Sequence, residues 1–338
     1  MIVAADSRRA PAGVASAGRA LAARFGGGAL DLPEAETAAP WSERLMASLP
    51  AAEACAVLEH LFGVLPLVAA YWAPEGELAE VAAGRKLAAL GLFTPTPELR
   101  WCAAALAAER SGDGLRLEGE VRLPNSAADG SLVPVRLPDG EHRLAWLEHG
   151  APGVERRGDA PCRLAVQGAT VGPAALSRPV SLDPGAGLHR QLTAYARVWA
   201  LAAALGAGAG VRALRRAARI TERGGRAWRT SQLVAMEITA VEIEAELTVA
   251  AVRRELALAA DDPASTGGLA LAAAAARSLA AVVTLAVELD DWAGLVPDGC
   301  RIEDLRRIQT SLGGPRMLES ELGFSLGIPD LPPQEASA

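Results

Sequence analysis

Hydrophobic and polar positions along the chain follow two different periods. From Trp41 to about Leu90, and again beyond about residue 186, apolar residues recur three and four positions apart, which predicts helices. Between these parts, from Gly91 to about Arg178, apolar and polar residues alternate in short segments such as GLRLEGEVRL, SLVPVRL, HRLAWLEH, GVERRG and CRLAVQGATV. Turn signals such as DG, PDG and GD separate the segments, which predicts half-buried strands joined by hairpins. The chain is therefore predicted to be α+β and multidomain, with a β-domain between two helical parts.

The predicted boundaries divide the chain into a series of parts. They are a poorly defined N-terminal segment (1–40), a reduced N-terminal helical domain (41–90), a central small β-barrel domain (91–185), a C-terminal four-helix-type bundle (186–330) and a tail (331–338). Long helical patterns that start near Arg190, Thr230 and Gly268 predict the bundle, because helices of this kind bury their apolar faces against one another.

The composition narrows the classes of partner. The 338 residues are 51% hydrophobic and 22% charged, which suffices for a substantial core. The most apolar stretch begins at Leu269, but it is mostly alanine and contains Arg277, so we expect a bundle helix and no membrane span. The net charge is −7, and no stripe of basic residues interleaved with aromatics occurs, which argues against a nucleic-acid partner.

The cysteines stand apart from one another, without a CxxC pair and without a histidine at ligand spacing. This pattern predicts reduced, buried thiols in a cytoplasmic protein and no metal site. They are Cys55, Cys102, Cys162 and Cys300.

Two features near the start of the bundle resemble ligand sites. The GAGAG run at 206–210 looks like a phosphate-binding glycine loop, but a helical pattern continues through it, so close helix packing is predicted instead. His189 and Arg190 stand at a predicted helix entry and could contact an anionic ligand, although an exposed, capped helix start is the favoured interpretation.

The second bundle helix is acidic, which raises the question of a di-metal site. Such a site normally needs a Glu-x-x-His pair from each of two helices, and no histidine here stands three residues after a glutamate. A solvated or partner-facing surface is therefore predicted for Glu237, Glu242, Glu244 and Glu246.

The order of the parts, together with several short motifs, resembles the acyl-CoA dehydrogenase family. GLFTPTP (91–97) stands where the family has its LTEP segment, and ERSGDGLRLEGEVRLPNSAADGSLVPVRL (109–137) resembles its GDGY-like turn and the strands that follow. YARVWALAAALGAGAGVRALRRAARITERGGRAWRTSQLVAMEIT resembles the first long bundle helix, the R-x-x-FG turn and the Gln-headed second helix. SLGGPRMLESELGFSLGIPDLPP resembles the closing GGTxEIQRNIIAERVLGLP segment, so the matches run from about residue 52 to 333.

The resemblance implies a FAD-dependent fold whose catalytic base is missing. In the family, a glutamate removes the α-proton of an acyl-CoA thioester while the flavin accepts hydride from the β-carbon. That glutamate stands either in a Glu-Gly-Thr turn before the last helix or on the first long bundle helix. Gly313 and Ala196 occupy these positions here, so the resemblance implies no catalytic residue in this chain. Moving Glu319 or Glu321 into place would take at least one helical turn, about 5.4 Å, which proton abstraction does not tolerate.

The segments that contact FAD in the family also depart from its pattern. The LTEP-like segment and the aromatic WIT-like strand have changed to Leu92, Phe93, Thr94, Pro95 and Arg122, Leu123, Pro124. The glycine-rich loop near the diphosphate has become LAVELDDWAG (285–294), whose Glu288, Asp290 and Asp291 would repel a pyrophosphate.

Two residues of the family's FAD pattern remain. Arg223 lies near the R-x-x-FG turn and Gln232 heads the second bundle helix. The resemblance implies that they could touch the diphosphate of a FAD held chiefly by another chain. A surface arginine and an ordinary helix N-terminal glutamine are the alternative, and both interpretations stay open.

A scaffold without its base suggests a role through assembly. The chain resembles the shorter, base-lacking subunit of α2β2 acyl-CoA dehydrogenases associated with bacterial steroid side-chain degradation. This implies a homologous catalytic partner that binds most of the acyl-CoA, and FAD shared at the interface. The helices over 190–220 and 232–258 are rich enough in Leu, Val and Ala to bury apolar faces against such a partner.

Two other hypotheses remain. One is an active homomeric dehydrogenase with a displaced base such as Glu237 or Glu242. The other is a pseudoenzyme that binds an acyl thioester or another protein without FAD.

Overall fold

The fold is described from a computed structural model. The described residues are 18, 20–21, 38–72, 78–93, 101, 106–123, 128–158, 162–182, 187–220, 232–258, 267–293 and 302–325.

Short helices form the N-terminal part of the described chain. Pro50 immediately precedes the second of them. Proline fits there because the first N–H groups of a helix have no partner within the helix, so the N–H that proline lacks leaves no helical hydrogen bond unmade. The buried side chains of these helices are almost all apolar, and they belong to the same core as those of the sheet and the bundle. They are α1 (Ala38–Ser48), α2 (Ala51–Leu58), a π-helical turn (Glu59–Val64), α3 (Leu65–Tyr71) and α4 (Ala79–Ala82).

The π-helical turn holds strand β1 (Ala88–Leu90) along one edge. The Leu90 N–H donates to Oε1 of Glu59 at 2.6 Å, and the Ala88 N–H donates to Nδ1 of His60 at 3.0 Å. The other ring nitrogen of His60 therefore carries the proton and donates to the Val81 carbonyl at 3.0 Å. The sequence pattern predicted helix for this stretch, and that prediction was wrong, because these side-chain contacts and pairing with β4 make it a strand.

Burial shifts the pKa values of both clamping side chains. Glu59 is 3% exposed, and burial raises its pKa to about 8, against the opposing effect of the Leu90 N–H. Burial lowers the pKa of His60 to about 4. A neutral carboxyl and a neutral imidazole are therefore the favoured forms near neutral pH.

The β-domain is a curled seven-stranded sheet. Strand β4 pairs with antiparallel β5 along one edge, and along the other edge with parallel β1 near its start and parallel β2 near its end. Strands β3, β7 and β6 continue the sheet from β2. The remaining strands are β2 (Leu106–Ser111), β3 (Gly114–Leu123), β4 (Gly130–Arg136), β5 (His142–Glu148), β6 (Val154–Arg157) and β7 (Cys162–Val171).

Long helices make up the C-terminal bundle. The GAGAG run lies within the first of them, so the predicted continuation of the helix through these glycines is confirmed, and Gly206 is buried there. The helices are α5 (Gly187–Ile220), α6 (Gln232–Leu258), α7 (Gly267–Ala293), α8 (Ile302–Thr310) and α9 (Pro315–Ser325).

Helical stretches in the protein are long and apolar enough to span a membrane by length and composition alone. They are Glu53–Tyr71, Gly187–Arg216 and Gly268–Glu288, and 56 to 83% of each apolar stretch is buried within the protein.

The predicted fold class is confirmed: helices, a curled sheet and a helical C-terminal region follow one another along the chain. The sheet begins at Ala88, a few residues inside the range predicted as helical. Cys55 and Cys162 are free and buried, as predicted, whereas Cys102 and Cys300 lie outside the described residues.

Candidate functional site

The turn between α8 and α9 is built on two consecutive glycines. Gly313 has φ +85° and Gly314 has φ +89°, in the left-handed region that side chains with a Cβ rarely adopt. The Gly313 N–H donates to the Thr310 carbonyl at 3.0 Å, and Pro315 then begins α9, where its missing N–H costs nothing. The sequence GGP therefore specifies a tight reversal between two helices.

Met317 closes the space beside Gly313. A Cβ on Gly313 would collide with Sδ of Met317 and would lie 3.0 Å from its Cγ. Met317 is itself 1% exposed and packed in the core, so it has little room to move. The turn therefore excludes a side chain at residue 313 by both backbone angle and packing.

A buried carboxylate and a buried histidine lie next to this turn. Oε1 of Glu321, on α9, accepts the Trp101 N–H, and Oε2 lies 3.3 Å from Nε2 of His189 on α5. The Trp101 indole N–H donates to the Leu312 carbonyl at 3.3 Å, which ties the same residue to the turn. Phe93 packs edge-on against the Trp101 ring at 5.3 Å.

The position of His189 corrects the expectation of an exposed helix start. The side chain is only 9% exposed and Glu321 is fully buried, so the pair is internal. Both carboxylate oxygens of Glu321 already face a polar group, which is the arrangement expected of a structural anchor between α9, α5 and Trp101. Arg190, which follows His189 in the chain, is exposed on the surface of α5.

The second base position is also enclosed. Ala196 lies on α5 with no exposed surface. Beside it, Arg197 is buried against Gly268, where a Cβ would collide with the arginine side chain, and its Nε lies 3.9 Å from a carboxylate oxygen of Glu255. Burial raises the pKa of the neighbouring Tyr195 well above its ordinary value, with Glu59 and Cys55 adding to the effect.

Solved structures share this arrangement of helices, sheet and bundle. Butyryl-CoA dehydrogenase from Megasphaera elsdenii superposes with a TM-score of 0.66 at 17% identity, over 93% of this chain and 87% of that one. The ChsE4–ChsE5 complex from Mycobacterium tuberculosis gives 0.64 at 18% identity, over 86% and 81%. A glutaryl-coenzyme A dehydrogenase in complex with glutaryl-CoA gives 0.65 at 14% identity, over 94% and 86%.

The chain has the acyl-CoA dehydrogenase fold. No protein-family model and no curated protein sequence matches it. At these identities the likeness to the solved structures concerns the fold, and the chemistry must be argued from the residues.

On this acyl-CoA dehydrogenase fold, three of the residues matched to flavin contacts are closed into the core. Leu92, Phe93 and Leu123 are 1%, 3% and 0% exposed, whereas Arg122 is half-buried on the outer face of β3. Thr94, Pro95 and Pro124 lie outside the described residues. The described part of these segments therefore offers apolar, buried side chains where a flavin site would need exposed polar contacts.

The matched diphosphate contacts fall largely beyond what the structure describes. Arg223 lies outside the described residues, and Gln232 is the first residue of α6. Glu288 is an exposed residue of α7, in a segment that continues as helix through Ala293. The diphosphate contacts of this chain therefore stay a prediction, and only its matched flavin contacts can be compared with the structure.

Other glutamates considered above as a replacement for the base are exposed or half-buried. Glu237 is exposed on α6, Glu242 forms an ion pair with Arg215 of α5, and Glu319 forms one with Arg277 at 2.7 Å. Among the residues that the structure describes, no group of His, Cys, Asp and Glu could hold a metal ion.

Sequence reasoning missed the internal pairs. His189 and Glu321 are 132 positions apart, and Glu59 meets the Leu90 N–H across 31 positions. A buried Glu-His dipeptide at 59–60 within an otherwise apolar helix was the local signal for the second pair.

Proposed function

We propose that this chain is the non-catalytic subunit of a cytoplasmic, FAD-dependent acyl-CoA dehydrogenase heteromer. The assembly would catalyse α,β-dehydrogenation of an acyl-CoA thioester, and the resemblance to steroid-degradation subunits points to a steroid-derived acyl group. A homologous partner would supply the base, bind most of the acyl-CoA and hold FAD at the shared interface. FAD supplies the acceptor for the hydride when it is bound.

The observation that carries the proposal is the turn at Gly313. The resemblance puts the family's glutamate at this helix-to-helix reversal, which here has positive φ at residue 313 and the Met317 side chain in the Cβ space. A base needs a side chain directed at the substrate within hydrogen-bond reach. Restoring one here would require both the backbone and Met317 to move.

Among the described residues, the glutamates considered as a displaced base are held by other contacts or lie away from the turn. Glu321 is the buried carboxylate nearest in sequence to the turn, but its two oxygens face the Trp101 N–H and His189. Glu237 and Glu242 lie on α6, and Glu242 is paired with Arg215. An active homomeric enzyme would need one of these groups to leave its present surroundings.

A heteromer also agrees with one of the similar solved structures, which is a complex of two named chains, ChsE4 and ChsE5. The chain's own flavin-matched positions are buried and apolar at Leu92, Phe93 and Leu123. A partner that contributes most of the cofactor contacts would supply what these segments lack.

Co-expression tests the proposal. The chain is purified alone and together with each acyl-CoA dehydrogenase-like chain of the same genome, and bound flavin, oligomer mass and acyl-CoA oxidation are measured. We expect a colourless, inactive chain alone and a yellow, active complex with one partner. Yellow, active protein from this chain alone would overturn the proposal, and if no partner changed the flavin content a flavin-free binding protein would be favoured.

A matched variant checks that activity in the complex comes from the partner. Glu321→Gln keeps the size of the side chain and an acceptor for Trp101, so the complex should retain its turnover number. Replacing the glutamate of the partner that aligns with residue 313 should abolish turnover while flavin stays bound. Loss of turnover in Glu321→Gln, with folding and flavin content intact, would instead identify Glu321 as the base.

A further inference from the structure

Helix α6 carries a stripe of exposed apolar side chains. Met236, Ile243 and Leu247 are 60%, 55% and 66% exposed, and they are the large exposed hydrophobic residues of the described chain. Their spacing of seven and four residues places them on one face of the helix. The opposite face packs into the bundle through Ile238, Ala245, Val249 and Val252, so the stripe points away from the core.

Exposed glutamates lie on both sides of this stripe. At 100° per residue, Glu237 and Glu244 lie along one side and Glu246 along the other, and all are exposed. Ser278 donates a hydrogen bond to Glu244 at 3.2 Å. Glu237 and Glu246 make no hydrogen bond or ion pair with the rest of the described chain. Arg254 lies on the stripe itself and Arg253 on the same side as Glu246, both about two turns further along the helix, and Arg253 is paired with Glu43 at 2.8 Å.

Symmetry makes these flanks unfavourable for pairing with a second copy. In an antiparallel two-fold pair, each flank lies beside the same flank of the other copy, so carboxylates meet near the axis at Glu244 and Glu246. In a parallel two-fold pair, opposite flanks meet, and these are also acidic. Like charges placed together across an interface oppose association.

From this geometry we infer that the face formed by Met236, Ile243 and Leu247 binds a different polypeptide, whose matching apolar surface is bordered on both sides by lysine or arginine. Apolar burial would hold the chains together, and the acidic borders would select a basic partner over a second copy. The inference deepens the proposed heteromer and rests on it for the identity of that polypeptide.

A charge-reversed form of this same chain provides the first probe. E237K/E246K places a lysine on each side of an unchanged stripe, so it presents the surface inferred for the partner. In sedimentation experiments, wild type and E237K/E246K should each remain unpaired through α6, whereas their mixture should form a one-to-one complex. The complex should weaken about tenfold or more in high salt, since exposed charges are screened.

Matched variants identify the surface. L247D, and separately the milder L247Q, should abolish the mixed complex when introduced into either chain. E109K/E118K makes the same change in net charge at exposed positions of β2 and β3 and should give no complex with wild type. Thermal unfolding verifies that each variant is folded.

The results separate this inference from the proposed function, because the mixing experiment needs neither flavin nor substrate. Absence of the mixed complex, or a wild-type dimer that L247D abolishes, would overturn the inference. In the co-expressed dehydrogenase complex, L247D should lower affinity for the partner at least tenfold. Unchanged affinity there would place the partner on another face and would overturn the inference while leaving the heteromer intact.

Discussion

At the scale of single residues, Gly313 and Gly314 of the turn between α8 and α9 share a backbone conformation but differ in the space available for a side chain. Both have φ near +90°, but a Cβ on Gly314 finds only the Gln309 carbonyl at 3.9 Å, whereas one on Gly313 meets Met317. The pair therefore separates the cost of backbone strain from the cost of a steric clash.

We expect Gly314→Ala to lower the free energy of unfolding by about 1 kcal/mol, and Gly313→Ala by about 2–4 kcal/mol. The excess for Gly313 reflects the displacement of Met317. Urea denaturation measures both values. Equal losses for the two variants would show that Met317 moves aside freely and that residue 313 can accept a side chain.

Glu59 gives a pH dependence whose sign can be worked out. Its pKa is raised from 4.5 to about 8 in the folded protein, so the folded state binds the extra proton between these values. The contribution of Glu59 to the free energy of unfolding must therefore fall as the pH rises through that window. His60, with its pKa lowered from 6.5 to about 4, acts in the opposite direction below pH 6.5.

The effect of Glu59 therefore dominates in the window from pH 6.5 to 8. Wild type should lose about 1–2 kcal/mol of unfolding free energy across it, whereas Glu59→Gln should lose none through this group, because glutamine does not titrate. Denaturant titrations at several pH values measure the difference. Parallel pH profiles for the two proteins would mean that the carboxyl is already ionised in the fold.

At the scale of elements, helix α9 contacts other parts of the molecule through two glutamates, one buried and one exposed to solvent. Glu321 is buried and contacts Trp101 and His189, whereas Glu319 forms an ion pair with Arg277 in which the side chains are 40% and 64% exposed. The helix thus has an internal anchor and a solvated one, two positions apart.

We expect Glu321→Ala to destabilise the protein by about 3 kcal/mol, because it leaves the Trp101 N–H and His189 without an acceptor in the core. Glu319→Ala should cost less than about 1 kcal/mol, since exposed ion pairs contribute little. Thermal unfolding of both variants measures the contrast. A larger loss for Glu319 would contradict the assignment of the internal anchor.

Some of the helices and strands could be predicted from the sequence, and others could not. Strands β3 to β7 and the long helices α5, α6 and α7 were predictable, because their periods are regular and turn residues separate them. Strands β1 and β2 were not, because LAAL and LAAERS are rich in alanine and gain their extended form from distant partners.

The site divides in the same way. The glycine turn was readable because glycine and proline act locally. The burial of His189 was not, since its partner Glu321 is far away in sequence and only the tertiary fold brings them together. Residues such as Arg223 lie outside the described residues, so their role stays a prediction.

At the scale of the whole molecule, the proposal concerns an assembly in which one chain contributes little to the cofactor. If the partner holds FAD at the shared interface and this chain cannot complete a second site, the complex should contain one FAD for each pair of unlike chains. Flavin absorbance together with the mass of the intact complex gives this ratio. Two FAD molecules for each pair would show that this chain completes a site of its own, contrary to the proposal.

The side chains of the π-helical turn have a further consequence for the free chain in solution. Strand β1 uses one edge for β4, and an uncovered second edge would expose amide hydrogens to which a strand from another molecule can add. Glu59 and His60 already accept the outward N–H groups of Leu90 and Ala88. The turn therefore protects the sheet at β1 against the edge-to-edge growth that leads to aggregates, and the protection is lost if the N-terminal helices detach.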